Sequence, residues 1–90
     1  MAGESPEINA AMSIGDQLEN AAINIKTIRM SRNIAGLALS NGCNLRSAKR
    51  VSEIEEGRGK LTLEELIAIA DFLDVSMDGL LKKKAKVIFE

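Results

Sequence analysis

Apolar residues recur at intervals of three and four along most of the chain. Ile14, Leu18, Ala21, Ala22, Ile25 and Ile28 follow that spacing, which predicts an amphipathic helix over residues ~14–30. Ser13-x-x-Asp16 ahead of it resembles a capping box with Asp in place of Glu. Lys26, Arg29 and Arg32 collect toward its end, where cations suit the helix dipole. Ile34 to Ser40 is a short apolar stretch; its length and small residues predict a two-turn helix closed by an Asn41-Gly42 cap. After a connector at 43–46, Ser47 is placed to cap a helix running Ala48 to Glu55, with Val51 and Ile54 inward. Gly57-Arg58-Gly59-Lys60 is a turn. Thr62-x-x-Glu65 is a full capping box, and Leu63, Leu66, Ile67, Ala70 and Leu73 carry the helical spacing on to residue 73. Asp74-Val75 breaks that helix, and Ser76 caps a last one with Met77, Leu80 and Leu81 inward. No strand is predicted before residue 85. The pattern describes an all-α protein: a compact bundle of about five short helices containing a helix-turn-helix. Residues 1–13 read as a flexible N-terminal segment, 14–84 as the folded domain and 85–90 as a C-terminal tail.

Composition narrows the chemistry. Ninety residues make one small domain at most. Aromatics are 2%, which argues against single-strand binding on stacked rings. The chain has no His and one Cys, so an ordinary zinc site and Cys-His or Ser-His catalytic pairs are excluded, as is an intrachain disulfide. Cys43 is expected to be an apolar filler or a surface thiol. No apolar run approaches the ~18 residues of a membrane span, and MAGESPEINAAM lacks the regions of a secretory signal, so the expected location is the cytoplasm.

The overall charge of −1 conceals a segregation. Residues 1–24 carry −4, residues 25–60 carry +5, residues 61–81 carry −5 and residues 82–90 carry +3. A basic middle between acidic flanks points to a polyanionic partner.

The run Ser47-Ala48-Lys49-Arg50-Val51-Ser52-Glu53-Ile54-Glu55-Glu56-Gly57 resembles the recognition helix and following turn of the Cro/CI (XRE) helix-turn-helix family. The resemblance continues through the segment from Thr62 to Leu81. It implies a lambda-repressor-like DNA-binding domain. The family often opens its second helix with a polar, phosphate-touching residue, where this chain has Ala35 or Gly36. The family's Leu-Ala pair falls on Leu37-Ala38 or Leu39-Ser40. The second alignment needs only one extra connector residue and is preferred.

On that resemblance, Lys49 and Arg50 are candidates for guanine edges, and Ser47, Ser52 and Glu53 for further base or phosphate contacts. Arg58 and Lys60, with Arg46 in the connector, are candidates to clamp phosphate oxygens. The bland alternatives are a solvated basic face, a capping serine and a charged surface loop. The family gives the acid matching Glu55 a structural role. Gly57-x-Gly59-Lys60 has the wrong spacing for a phosphate loop.

The expected protein is a sequence-specific regulator of double-stranded DNA, of the phage or mobile-element repressor kind, acting as a homodimer on an operator. It is expected to be no enzyme, to need no cofactor or metal and to engage no membrane. Met77, Leu80, Leu81 and Ile88 are the expected dimer contacts. The rival reading is a protein-interaction module, such as an antitoxin with a toxin partner, for which DNA binding is secondary.

Overall fold

The computed structural model describes residues 13–82. The expectations for the terminal segments, Ile88 among them, fall outside the described residues. Within them lie five helices: α1 (Ile14–Ser31), α2 (Gly36–Gly42), α3 (Ala48–Glu55), α4 (Leu63–Leu73) and α5 (Met77–Lys82). The fold is all-α. The longest helix, α1, lies along α5 and also touches α3 and α4, while α2 packs on α3. The core is aliphatic: Ile25 and Ile28 from α1, Leu39 from α2, Val51 and Ile54 from α3, Leu66, Ile69 and Leu73 from α4, and Leu80 from α5.

Helix starts follow local chemistry. The Ser13 hydroxyl accepts from the Asp16 N–H (3.0 Å) and the Ser76 hydroxyl from the Gly79 N–H (2.9 Å). Thr62 and Glu65 form the full reciprocal box, at 3.1 and 2.9 Å. Ser47 differs from the expected cap: its hydroxyl makes no capping bond. Ser13 and Thr62 enter their helices near φ −73° and −84°, whereas Ser47 sits at −170°.

Four helix ends share one device. Past α1, α2, α3 and α4 a residue takes the left-handed conformation: Asn33, Asn44, Gly57 and Asp74. The next N–H then reaches five residues back: Ile34 to Arg29 (2.9 Å), Leu45 to Ser40 (2.8 Å), Arg58 to Glu53 (2.8 Å) and Val75 to Ala70 (3.0 Å). This is the Schellman closure, which satisfies carbonyls that a helix end leaves open. Three of the donors, Ile34, Leu45 and Val75, then pack against the core. The fourth, Arg58, points to solvent with its side chain 62% exposed.

The left-handed position after α2 therefore belongs to Asn44, not to the Asn41-Gly42 pair. Gly42 is the last residue of α2 and serves a different need: a Cβ there would lie 2.2 Å from Cε1 of Phe72. In the Leu-Ala register, Leu39 and Ser40 are buried whereas Leu37 is 60% exposed. The Ser40 hydroxyl is satisfied by the Leu37 carbonyl (2.9 Å). This is the register with one extra connector residue.

The last helix is held from the side. Asn20 and Asn24, one turn apart on α1, donate their amides to the carbonyls of Leu81 (3.1 Å) and Leu80 (2.8 Å). Those carbonyls end a short helix, so the two asparagines supply a side-chain cap in trans. Leu80 is fully buried inside the monomer. It has no surface to offer a partner, which removes it from the expected dimer contacts. Met77 and Leu81 are half-buried.

Candidate nucleic-acid interface

The two faces of α3 do different work. Val51 and Ile54 enter the core, at 2% and 3% exposure. Lys49 and Ser52, three residues apart and so on one face, are exposed. Glu55, at the far end, is held inside. Its two carboxylate oxygens accept from Arg29 Nε (2.7 Å) and Nη2 (3.0 Å), and Arg29 Nη1 also donates to the Ile34 carbonyl (2.8 Å). The carboxylate holds the Arg29 guanidinium above its ordinary pKa, chiefly through these hydrogen bonds. This pair locks α3 to the end of α1, so Glu55 has the structural role that the resemblance implied. Arg32, expected to favour its own helix dipole, instead donates to the Leu73 carbonyl at the end of α4 (2.6 Å).

Of the eight residues expected to touch DNA, Arg46, Ser47, Lys49, Ser52, Arg58 and Lys60 are exposed. Glu53 is half-buried and lies 3.4 Å from Arg50. Arg58 pairs with Glu56 at 2.6 Å, on the surface. Arg50 departs from the expectation. It is buried, and its Nε and Nη2 each donate to Glu65 at 2.7 Å while Nη2 also donates to the Lys60 carbonyl at 2.7 Å. A guanidinium with those partners cannot also lie along a base edge. Spacing carries the signal for this: Arg50 stands four residues before Ile54 and so shares its inward face. Glu65 could not have been paired with Arg50 from spacing alone, because fifteen residues separate them.

Arg50 also ties the turn after α3 back to the start of that helix. It sits in the first turn of α3, yet it binds the backbone of the turn that follows that helix. The connector residues Cys43–Arg46 and the start of α4 line the same hollow around it. Arg50 thereby joins the backbone of Lys60 to the first turn of α3, and Arg46 of the connector lines the same hollow. The start of α2 contributes nothing comparable, since Ala35 and Gly36 open it without a polar side chain.

Residues 44–80 match the family model described as Helix-turn-helix. The domain is a Cro/CI-type helix-turn-helix. The match takes in the connector, α3, α4 and most of α5. It begins after α2, the helix in which the chain departs from the family's usual opening. The helix-turn-helix domain makes this chain a DNA-binding regulator. No curated protein and no solved structure gives a significant match to the chain. No helix among the described residues is long and apolar enough to cross a membrane.

Proposed function

We propose that the helix-turn-helix domain represses transcription by occupying an operator as a homodimer, as phage and mobile-element repressors do. The observation that carries this is the exposed face of α3, with Lys49 and Ser52 outward and Arg46, Arg58 and Lys60 exposed in the segments that precede and follow the helix. Such a helix, laid in the major groove, reads bases with its N-terminal residues, while flanking cations hold phosphates. Lys49 is the base-reading cation in this proposal, with Ser47 and Ser52 beside it. Glu53 is a weaker base contact because Arg50 competes for its carboxylate. One short recognition helix covers too few base pairs to select a single genomic site, so two copies are required. Their interface is placed at the half-buried Met77 and Leu81 of α5.

The test is a titration of duplex DNA, preferred site against random sequence, over a series of salt concentrations. Binding is expected to weaken with log salt by ~0.9 per phosphate neutralised. Lys49→Ala should cost about 1–3 kcal/mol on the preferred site and relax selection at one base pair. Arg58→Ala should weaken all sequences alike and flatten the salt slope by about one. If no duplex binds at low salt while a second protein copurifies, the toxin-partner reading replaces this one.

A further inference from the structure

Arg50 is placed to hold the turn that follows α3. The turn after α3 contains two glycines in left-handed conformations, Gly57 at φ +76° and Gly59 at φ +72°. Such a turn has wide conformational freedom unless something holds it. The Schellman bond of α3 fixes it at one end, at Arg58, and the α4 cap fixes it at the other, at Thr62. Between those points the Arg50 guanidinium grips the Lys60 carbonyl at 2.7 Å. Gly59 is shaped to this contact, since a Cβ there would stand 2.8 Å from Arg50 Nη1. The guanidinium is aimed in turn by Glu65. One oxygen of Glu65 accepts from Arg50 Nε, and the other from both Arg50 Nη2 and the Thr62 N–H. A single network thus joins the recognition helix, the basic turn and the start of α4.

We propose that Arg50 is a positioning residue for DNA binding: it fixes the turn at 57–60 against the first turn of α3, so that the phosphate contacts of Arg58 and Lys60 depend on it. This rests on the DNA-binding reading above. A purely structural Arg50 would support the fold as a whole. A positioning Arg50 acts on the turn and leaves α3 seated, because Val51, Ile54 and the Glu55–Arg29 pair hold that helix independently.

Two variants separate these roles. Arg50→Met keeps the aliphatic stem and removes the fork. Glu65→Gln removes the charge that aims the fork but retains a residue that serves the capping box equally well. Salt slopes are measured for each, with and without Arg58→Ala. In the parent protein Arg58→Ala is expected to flatten the slope by about one. With Arg50→Met the slope should already be flatter by about two, one for each of the Arg58 and Lys60 contacts, and adding Arg58→Ala should change it little further. The ratio of preferred to random DNA should stay at the parent value. Amide exchange without DNA supplies the second readout: in both variants Gly59, Lys60 and Leu61 should exchange faster while α3 keeps its protection. Additive effects of Arg50→Met and Arg58→Ala on the slope would overturn the proposal. So would unchanged exchange in the turn, or lost protection throughout α3. If the parent protein binds no DNA, the regulator reading fails on that arm, and the exchange arm still decides whether Arg50 holds the turn.

Discussion

Gly42 shows how one absent side chain sets the distance between two helices. The Phe72 ring of α4 occupies the volume that a Cβ on α2 would need. Gly42→Ala gains up to about 1 kcal/mol of helix propensity, but overpacking costs about 1–3 kcal/mol. A net loss of about 1 kcal/mol is expected in urea denaturation. The ring is 39% exposed, so it can swing outward rather than displace the core. In a Phe72→Ala background the obstruction is gone, and Gly42→Ala should then be stabilising. Equal losses in both backgrounds would show that Phe72 is not the cause. The neighbouring Cys43 is the apolar filler among the two roles expected for it. It is 7% exposed, and burial followed by the Asp71 charge pushes its thiol pKa up.

Charged side chains join helices here in addition to the apolar faces. The Arg29–Glu55 pair ties α1 to α3 with side chains 17% and 5% exposed. Removing one partner of such a pair leaves the other charge in a poor solvent, which costs about 3 kcal/mol or more. Glu55→Ala should therefore lower stability by about that amount in denaturant melts, far more than Glu56→Ala at the surface. The Arg50–Glu65 pair adds a pH dependence. Hydrogen bonds from Arg50 hold the Glu65 carboxyl below its ordinary pKa, against the opposing effect of burial. A depressed carboxylate stabilises the fold above its unfolded value of about 4.3, and that contribution fades as pH falls through the folded value. The stability gap between the parent protein and Glu65→Gln should thus be widest near neutral pH. It should close on acidification below about pH 4, as read by melts across a pH series. A gap that persists at pH 2 would mean that the carboxylate charge is not its source.

At the scale of the whole molecule, charge is segregated along the sequence. Residues 25–60, which include α3 and its turn, carry +5, while residues 61–81, with α4 and α5, carry −5. An acidic half is repelled by phosphate and is suited to face away from it. Met77, the first residue of α5, tests whether a partner copy sits there. Met77→Asp puts an acid at a helix N-terminus, where it suits the dipole, so α5 should persist. The dimer dissociation constant is expected to rise about tenfold, a loss of about 1.4 kcal/mol, in sedimentation equilibrium with helicity unchanged. A dimer of undiminished affinity would move the interface to α1. There Ile23 and Met30, at 56% and 57% exposure, lie seven residues apart on one face.

The sequence by itself determined four of the five described helices and the helix-turn-helix, while it placed α2 two residues early, at Ile34–Ser40 against Gly36–Gly42. The spans Ala48–Glu55 and Leu63–Leu73 agree with the structure to the residue, because capping chemistry and three-four spacing act within a single turn. The recognition helix was legible for the same reason. Only the tertiary structure decided what each charged residue on it does. Lys49 and Arg50 are adjacent in sequence and alike in charge, yet one faces solvent and the other is buried against an acid fifteen residues away. The closure of α2 was decided at the same level. Asn44 takes the left-handed position there, and Gly42 answers instead to a ring thirty residues on, on α4. Local rules operate over about one turn, whereas a buried charge or a close approach depends on which residue the fold brings to meet it.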